Sequence, residues 1–119
     1  MTESLRQKKV ASLVKEALSQ LLIESFQDSF SGLITVSKVT MTPDLKTAHV
    51  YLTYFGQEKD KSILEILEKR KGYLRKSVAS KTKLKYNPML IFSLDPTRAY
   101  EENIDKILER LKKNEDRSN

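Results

Sequence analysis

The side chains in this sequence that could make or break bonds fall in no recognisable catalytic pattern. The single histidine, His49, stands mid-strand among alternating β-type residues, and there is no cysteine. A thiolate metal site is therefore impossible, and no nucleophile paired with a base is legible. The three glycines, Gly32, Gly56 and Gly72, are too far apart for a phosphate-binding loop. Asp95, Glu101 and Glu102 gather acid at what reads as a helix start, where carboxylates answer the helix dipole. No catalytic residue, metal or cofactor is expected. The chain does carry a run of cations. The stretch KRKGYLRKSVASKTKLK holds Lys69, Arg70, Lys71, Arg75, Lys76, Lys81, Lys83 and Lys85, with no acidic residue between Glu68 and Asp95. Subtracting these eight charges from the net +6 leaves −2 for the remainder, so the basicity is local. The chemistry this allows is noncovalent, because concentrated positive charge attracts polyanions and speeds their association. An ordinary solvated helix face alternates Lys with Glu four residues away, and this one does not. Arg6, Lys8 and Lys9 form a smaller basic group, which reads as plain solvation unless it folds beside the main patch.

A chain of 119 residues, 39% of them hydrophobic, suffices for one domain with a real core and is too short for two. The start, MTESLRQKK, leads into an amphipathic segment and not into the apolar core of a signal peptide. No apolar run approaches membrane-spanning length, and a cytoplasmic home is expected. A pI near 9.5 makes nucleic acid the leading partner class and anionic membrane the second.

The elements that must hold the patch can be read from periodicity. Val10, Leu13, Val14, Ala17, Leu18, Leu21 and Leu22 fall at helical spacing, and Ser4 with Gln7 forms a capping box that starts this helix near Leu5. Ile34 and Val36 then alternate at a period of two. Val39 and Met41 resume that period one residue out of phase, which predicts a bulge. Thr42 to Leu45 carries turn chemistry, and Ala48, Val50, Leu52 and Tyr54 form one face of a second, antiparallel strand. Gly56 ends it. Ser62 with Glu65 suggests a cap for the next helix, whose stripe is Ile63, Leu67, Leu74 and Val78 with Leu64 and Ile66 beside it. Gly72 interrupts that helix at a cost of about 1 kcal/mol against alanine, which predicts a kink there. Lys76 and Lys83 then project opposite Leu74 and Val78, and the helix closes between Lys85 and Pro88. Leu90, Phe92 and Leu94 mark a third strand, in a mixed sheet because a helical crossover precedes it. Asp95 and Pro96 read as the start of a last amphipathic helix with Tyr100, Ile104, Ile107, Leu108 and Leu111 on its apolar side. The expected division is 1–96 as one folded domain, holding the basic stretch, and 97–119 as a C-terminal amphipathic helix and charged tail.

This α+β order, helix, strand, strand, kinked helix pair, strand, resembles a type II KH domain, an RNA-binding fold. The Gly-x-x-Gly loop by which KH domains grip RNA is missing. The chain is similar to the ribosome-binding factor A family of bacterial small-subunit assembly factors from about Leu5 to Leu94. The resemblance rests on Val10-Ala11, on Gly32 to Val36, on Thr42-Pro43-Asp44-Leu45-Lys46-Thr47-Ala48-His49-Val50-Tyr51, on Gly72-Tyr73-Leu74-Arg75, and on Leu84 to Leu90. That family replaces the glycine loop with an Ala-x-Gly kink. Gly72 matches its glycine, and Arg70 stands where the alanine would be.

The resemblance implies a non-enzymatic, monomeric factor that binds the immature 30S subunit and 16S rRNA. It would act in late maturation, including the 5′ end, and be released with help from an assembly GTPase. Its RNA-binding set would be Lys69, Arg70, Lys71, Gly72, Arg75, Lys76, Lys81, Lys83 and Lys85, joined by Arg6, Lys8 and Lys9. Two other readings of the basic stretch stay open. One is a DNA-binding module, although no helix-turn-helix or zinc finger is legible. The other is a docking surface for an acidic protein.

Overall fold

The computed structural model describes residues 3–85 and 87–95. Helix α1 (Leu5–Ser25) is followed by a short 3-10 turn, strands β1 (Leu33–Met41) and β2 (Thr47–Phe55), helices α2 (Asp60–Lys69) and α3 (Lys71–Thr82), and strand β3 (Met89–Leu94). The sheet runs β1-β2-β3, antiparallel between the first pair and parallel between the second. A parallel return needs a crossover, and α2 and α3 provide it. The result is the α+β, KH-like arrangement, with α1 packed on β1, α2 on β3, and α3 against α1.

Alternation decides which face of the sheet the helices cover. Ile34, Val36, Val39 and Met41 of β1, Ala48, Val50, Leu52 and Tyr54 of β2, and Leu90 and Phe92 of β3 are all buried. The expected phase shift in β1 is a bulge between Val36 and Lys38, which lets both halves of the strand send apolar side chains inward. Where β1 begins and β2 ends, the backbones nearly touch. A Cβ on Gly32 would fall on the Phe55 carbonyl oxygen and one on Gly56 on the Tyr54 hydroxyl, so both positions need glycine. The turn between the strands is fixed by Asp44, whose Oδ1 accepts from Thr42 Oγ1 at 2.6 Å and from the Lys46 N–H at 3.0 Å. His49 is half-buried on the outer side of β2.

Helix α1 starts as its sequence indicates. Gln7 N–H donates to Ser4 Oγ at 3.1 Å and Ser4 N–H to Gln7 Oε1 at 2.8 Å. Gln7 does more than cap, because it is buried and its Nε2 donates to the Met41 carbonyl at 2.9 Å, tying α1 to the end of β1. Leu13 departs from the expected stripe at 43% exposure, and Ala11 and Gln7 take that part of the contact.

The helix pair differs from the sequence expectation in its start, its break and its end. The start of α2 is Asp60, with Lys59 as an N-cap that uses no side chain. The Ile63 N–H already bonds the Lys59 carbonyl at 3.1 Å, which puts Ser62 inside the first turn. The break falls on Arg70, not on Gly72, which sits within α3 without positive φ and with no atom within 4 Å of where a methyl group would stand. The end of α3 is Thr82, ahead of the expected 85–88 boundary. There Lys83 turns left-handed, with φ 54°, and its N–H bonds the Ala79 carbonyl, while Leu84 packs against the core. Lys83 is therefore the C-cap of α3 and not a residue of its outer face. The stripe itself holds, with Ile63, Leu67, Leu74 and Val78 fully buried. The helix expected over 97–119 lies outside the described residues.

Candidate nucleic-acid interface

Burial of Leu74 and Val78 fixes the rotation of α3 and so decides which cations face solvent. Lys69, at the end of α2, Lys76, on α3, and Lys83, at its cap, are exposed, and none of their side chains makes an ion pair or hydrogen bond among the described residues. Next to Lys69, Gly72 leaves the first turn of α3 open, at the positive end of that helix dipole. Lys85 is exposed a short way past the cap.

The remaining cations of the stretch are held by neighbours. Lys71 pairs with Glu68 at 3.1 Å and Lys81 with Glu24 at 3.8 Å, both in water, where such pairs contribute roughly 0–1 kcal/mol and yield to a stronger anion. Arg75 is committed more firmly. Its Nε donates to the Pro88 carbonyl at 3.1 Å and its Nη2 to that of Asn87 at 3.2 Å, which pins α3 to the chain entering β3. The Arg70 guanidinium lies over two aromatic rings, 4.3 Å from the centre of Phe26 and 5.2 Å from that of Tyr73.

The small N-terminal group divides. Arg6 shares a shallow depression with Lys85, Val10, Leu45 and Leu84, which brings it to the end of the main patch. Lys8 instead borders Lys15, Ser37 and Lys38 along the β1 side of α1, while Lys9 stands with Leu13 and Glu16 on the outer side. Of the three, the fold places one beside the patch.

Sequence reasoning missed the ground between α1 and α3. There a groove of about 530 Å³ is lined by residues that include Ser25, Tyr73, Lys76, Ser77 and Lys81. The Tyr73 hydroxyl lies 3.2 Å from Ser25 Oγ, and hydrogen bonding to Ser25, then to Ser77, holds its phenol below the ordinary value. Tyr73 was visible only as part of a motif, because Ser25 is 48 positions away. Among the described residues there is no cluster of three or more metal-ligating side chains, and no helix is long and apolar enough to cross a membrane.

Comparison with known proteins gives a consistent answer. The family model described as Ribosome-binding factor A matches residues 6–108. A ribosome-binding factor A from Citrifermentans bemidjiense is 36% identical over 107 residues, covering 89% of this chain and 90% of its own. The crystal structure of ribosome-binding factor A from Thermus thermophilus superposes with a TM-score of 0.65 at 23% identity, covering 74% of this chain and 94% of that one. A homology model of the Thermus thermophilus factor, fitted into the cryo-EM map of a 30S–RbfA complex, superposes at 0.61 with 23% identity, over 70% of this chain and 88% of that one.

Proposed function

The chain belongs to the ribosome-binding factor A family, and from that premise we propose that it binds the immature 30S ribosomal subunit through 16S rRNA and supports late maturation, including processing of the 5′ end. It acts without catalysis, as a monomer in the cytoplasm, and leaves the subunit with help from an assembly GTPase.

The observation that carries this reading is the run of solvent-exposed cations from Lys69, next to the open first turn of α3, through Lys76 on that helix to Lys83 at its C-cap, whose side chains have no ion-pair or hydrogen-bond partner among the described residues. Cations with nothing to give up are the ones that gain most from phosphate, since no existing pair must be broken. Lys85 and Arg6 extend the face at one end, and Lys71 and Lys81 can join it at the small cost of an exposed ion pair. Arg70 and Arg75 support the helices that present it. The family factor from Thermus thermophilus has been placed on the 30S subunit, and the same partner fits the charge of this surface.

Co-sedimentation with small subunits prepared from cells lacking the protein tests the reading, together with the level of unprocessed 16S precursor in those cells. The chain should pellet with immature subunits, and its return should lower the precursor. A chain that stays in the supernatant at low salt, or that leaves the precursor unchanged, would show the assignment to be mistaken.

A further inference from the structure

We propose that the groove between α1 and α3 takes an unpaired nucleotide, its base stacked on the Tyr73 ring and its phosphate held by Lys76 and Lys81. The inference rests on the reading of RNA as partner and adds which kind of RNA the surface takes.

Tyr73 is the starting point. It is 44% exposed, although its ring lies close to that of the fully buried Phe26. The ring is exposed yet fixed. Its hydroxyl is 3.2 Å from Ser25 Oγ, its centre is 6.4 Å from that of Phe26 at a tilt of 44°, and the Arg70 guanidinium lies 5.2 Å from it. A ring already immobilised loses little entropy when something stacks on it, which is what a recognition platform requires.

The surroundings specify the ligand. Lys76 and Lys81 flank the groove, so the aromatic surface is interleaved with positive charge, the combination that binds single strands by base stacking and backbone attraction together. Duplex RNA cannot use the ring, because its base faces are already stacked and only phosphate, 2′-hydroxyl and groove edges remain. Ser77 and Ser80 offer hydroxyls that donate or accept, so the groove accommodates more than one base edge. Glu24 also lines the groove, 3.8 Å from Lys81. Its pair with Lys81 is exposed and weak enough to open when a phosphate takes that lysine. A volume of about 530 Å³ falls within the range of small-molecule sites, ~300–1,000 Å³.

The test uses the full chain and two labelled probes at one low salt concentration, a short oligouridylate and the same strand paired with oligoadenylate. Duplex has the higher charge density, so purely electrostatic binding favours it. Tighter binding of the single strand is expected, against that trend. Loss of one base-stacking contact should weaken single-strand binding by Tyr73→Leu about tenfold and leave duplex binding unchanged, whereas Tyr73→Phe should match the wild type. Ser80→Leu, which fills the groove and leaves Tyr73 in place, should behave like Tyr73→Leu and decides the matter if the tyrosine variant does not fold. Equal single-strand affinity for Ser80→Leu and wild type overturns the groove assignment, as does a loss that is the same on both probes. If the duplex and small subunits bind while all groove variants are indifferent, only the groove is wrong. If no RNA and no subunits bind, RNA as partner fails with it.

Discussion

The Arg70 guanidinium carbon lies 4.3 Å from the centre of the Phe26 ring, so the residue that separates α2 from α3 also closes the end of α1. Phe26 is fully buried, and its backbone N–H completes α1 by bonding the Leu22 carbonyl. At the position where the family resemblance places an alanine, a long planar cation here covers an aromatic ring. The departure is thereby accommodated as packing, with the Tyr73 ring also beside the guanidinium, 5.2 Å from it.

Replacing Arg70 with alanine should therefore destabilise the domain, by about 0.5–2 kcal/mol from lost cation–π contact and cover. Arg70→Lys should recover part of this, since it restores charge without the flat guanidinium. Urea midpoints of the three proteins decide it. An unchanged midpoint for Arg70→Ala with weakened RNA binding would mean that the guanidinium works on the ligand instead.

The core and its cover should respond differently on α3. Leu74 is fully buried, and Leu74→Ala should cost about 2–5 kcal/mol, whereas Lys76→Ala, on an exposed side chain, should stay within about 0.5 kcal/mol. Thermal and urea melts of both variants give the comparison. Equal midpoints for Leu74→Ala and wild type would reverse the assigned orientation of the helix.

These contrasts show where sequence sufficed. The stripe Ile63, Leu67, Leu74, Val78 was legible because burial repeats with the helical period, and the β1 bulge because a phase slip leaves a mark in strand alternation. The Ser4–Gln7 box was legible because both partners are local. Ser62 and Glu65 have the same local pattern and do not cap, because the helix gains an earlier turn at Asp60. Pro88 suggests a late end to α3 that would keep Lys83 on the helix, while the actual stop is a left-handed residue that sends Leu84 to the core. For the site, the sequence identified the basic stretch but not its internal sorting. Arg70 depends on Phe26, Arg75 on Asn87 and Pro88, Lys81 on Glu24, and Arg6 on Lys85, and no local signal reports a partner that tertiary folding brings in.

Acid should loosen the end of the sheet through Glu58. Its carboxylate accepts from the Ser31 N–H at 2.7 Å and from Ser31 Oγ at 2.6 Å, and the side-chain bond, then the backbone one, hold it below the usual carboxylate range. Because the folded value is depressed, the stabilisation is complete above the ordinary value of 4.5 and is lost as pH falls through the lower, folded value. Asp44, held low by Thr42 and then Lys46, adds to the same trend at the opposite turn. Melting temperature should be flat in Glu58 titration above about pH 6 and fall in acid, and Glu58→Gln should fall less steeply. Parallel curves for the two proteins would remove Glu58 from the account.

Reversing Lys76 and Lys83 together tests the working surface. Both side chains are exposed without ion-pair or hydrogen-bond partners among the described residues, so Lys76→Glu/Lys83→Glu breaks no such bond within the fold. A glutamate at the cap of α3 opposes the helix dipole, and a cost of about 0.3–1 kcal/mol is expected in the melt. Binding should suffer far more. With roughly five phosphates neutralised on duplexed RNA, log K should fall against log salt with a slope near −4, and removing two of the contacts should flatten it by about 2. Phosphate contacts position a protein and carry little sequence information, so the loss should extend to structured RNAs generally. Cells with only the double variant should accumulate immature small subunits and 16S precursor although the protein is folded. A folded variant that pellets with small subunits like wild type, keeps the wild-type salt slope and leaves precursor normal would move the working surface elsewhere. The next candidate would be the flank of α1 with Lys8 and Lys15, where Lys38 adds a third cation from the β1 bulge.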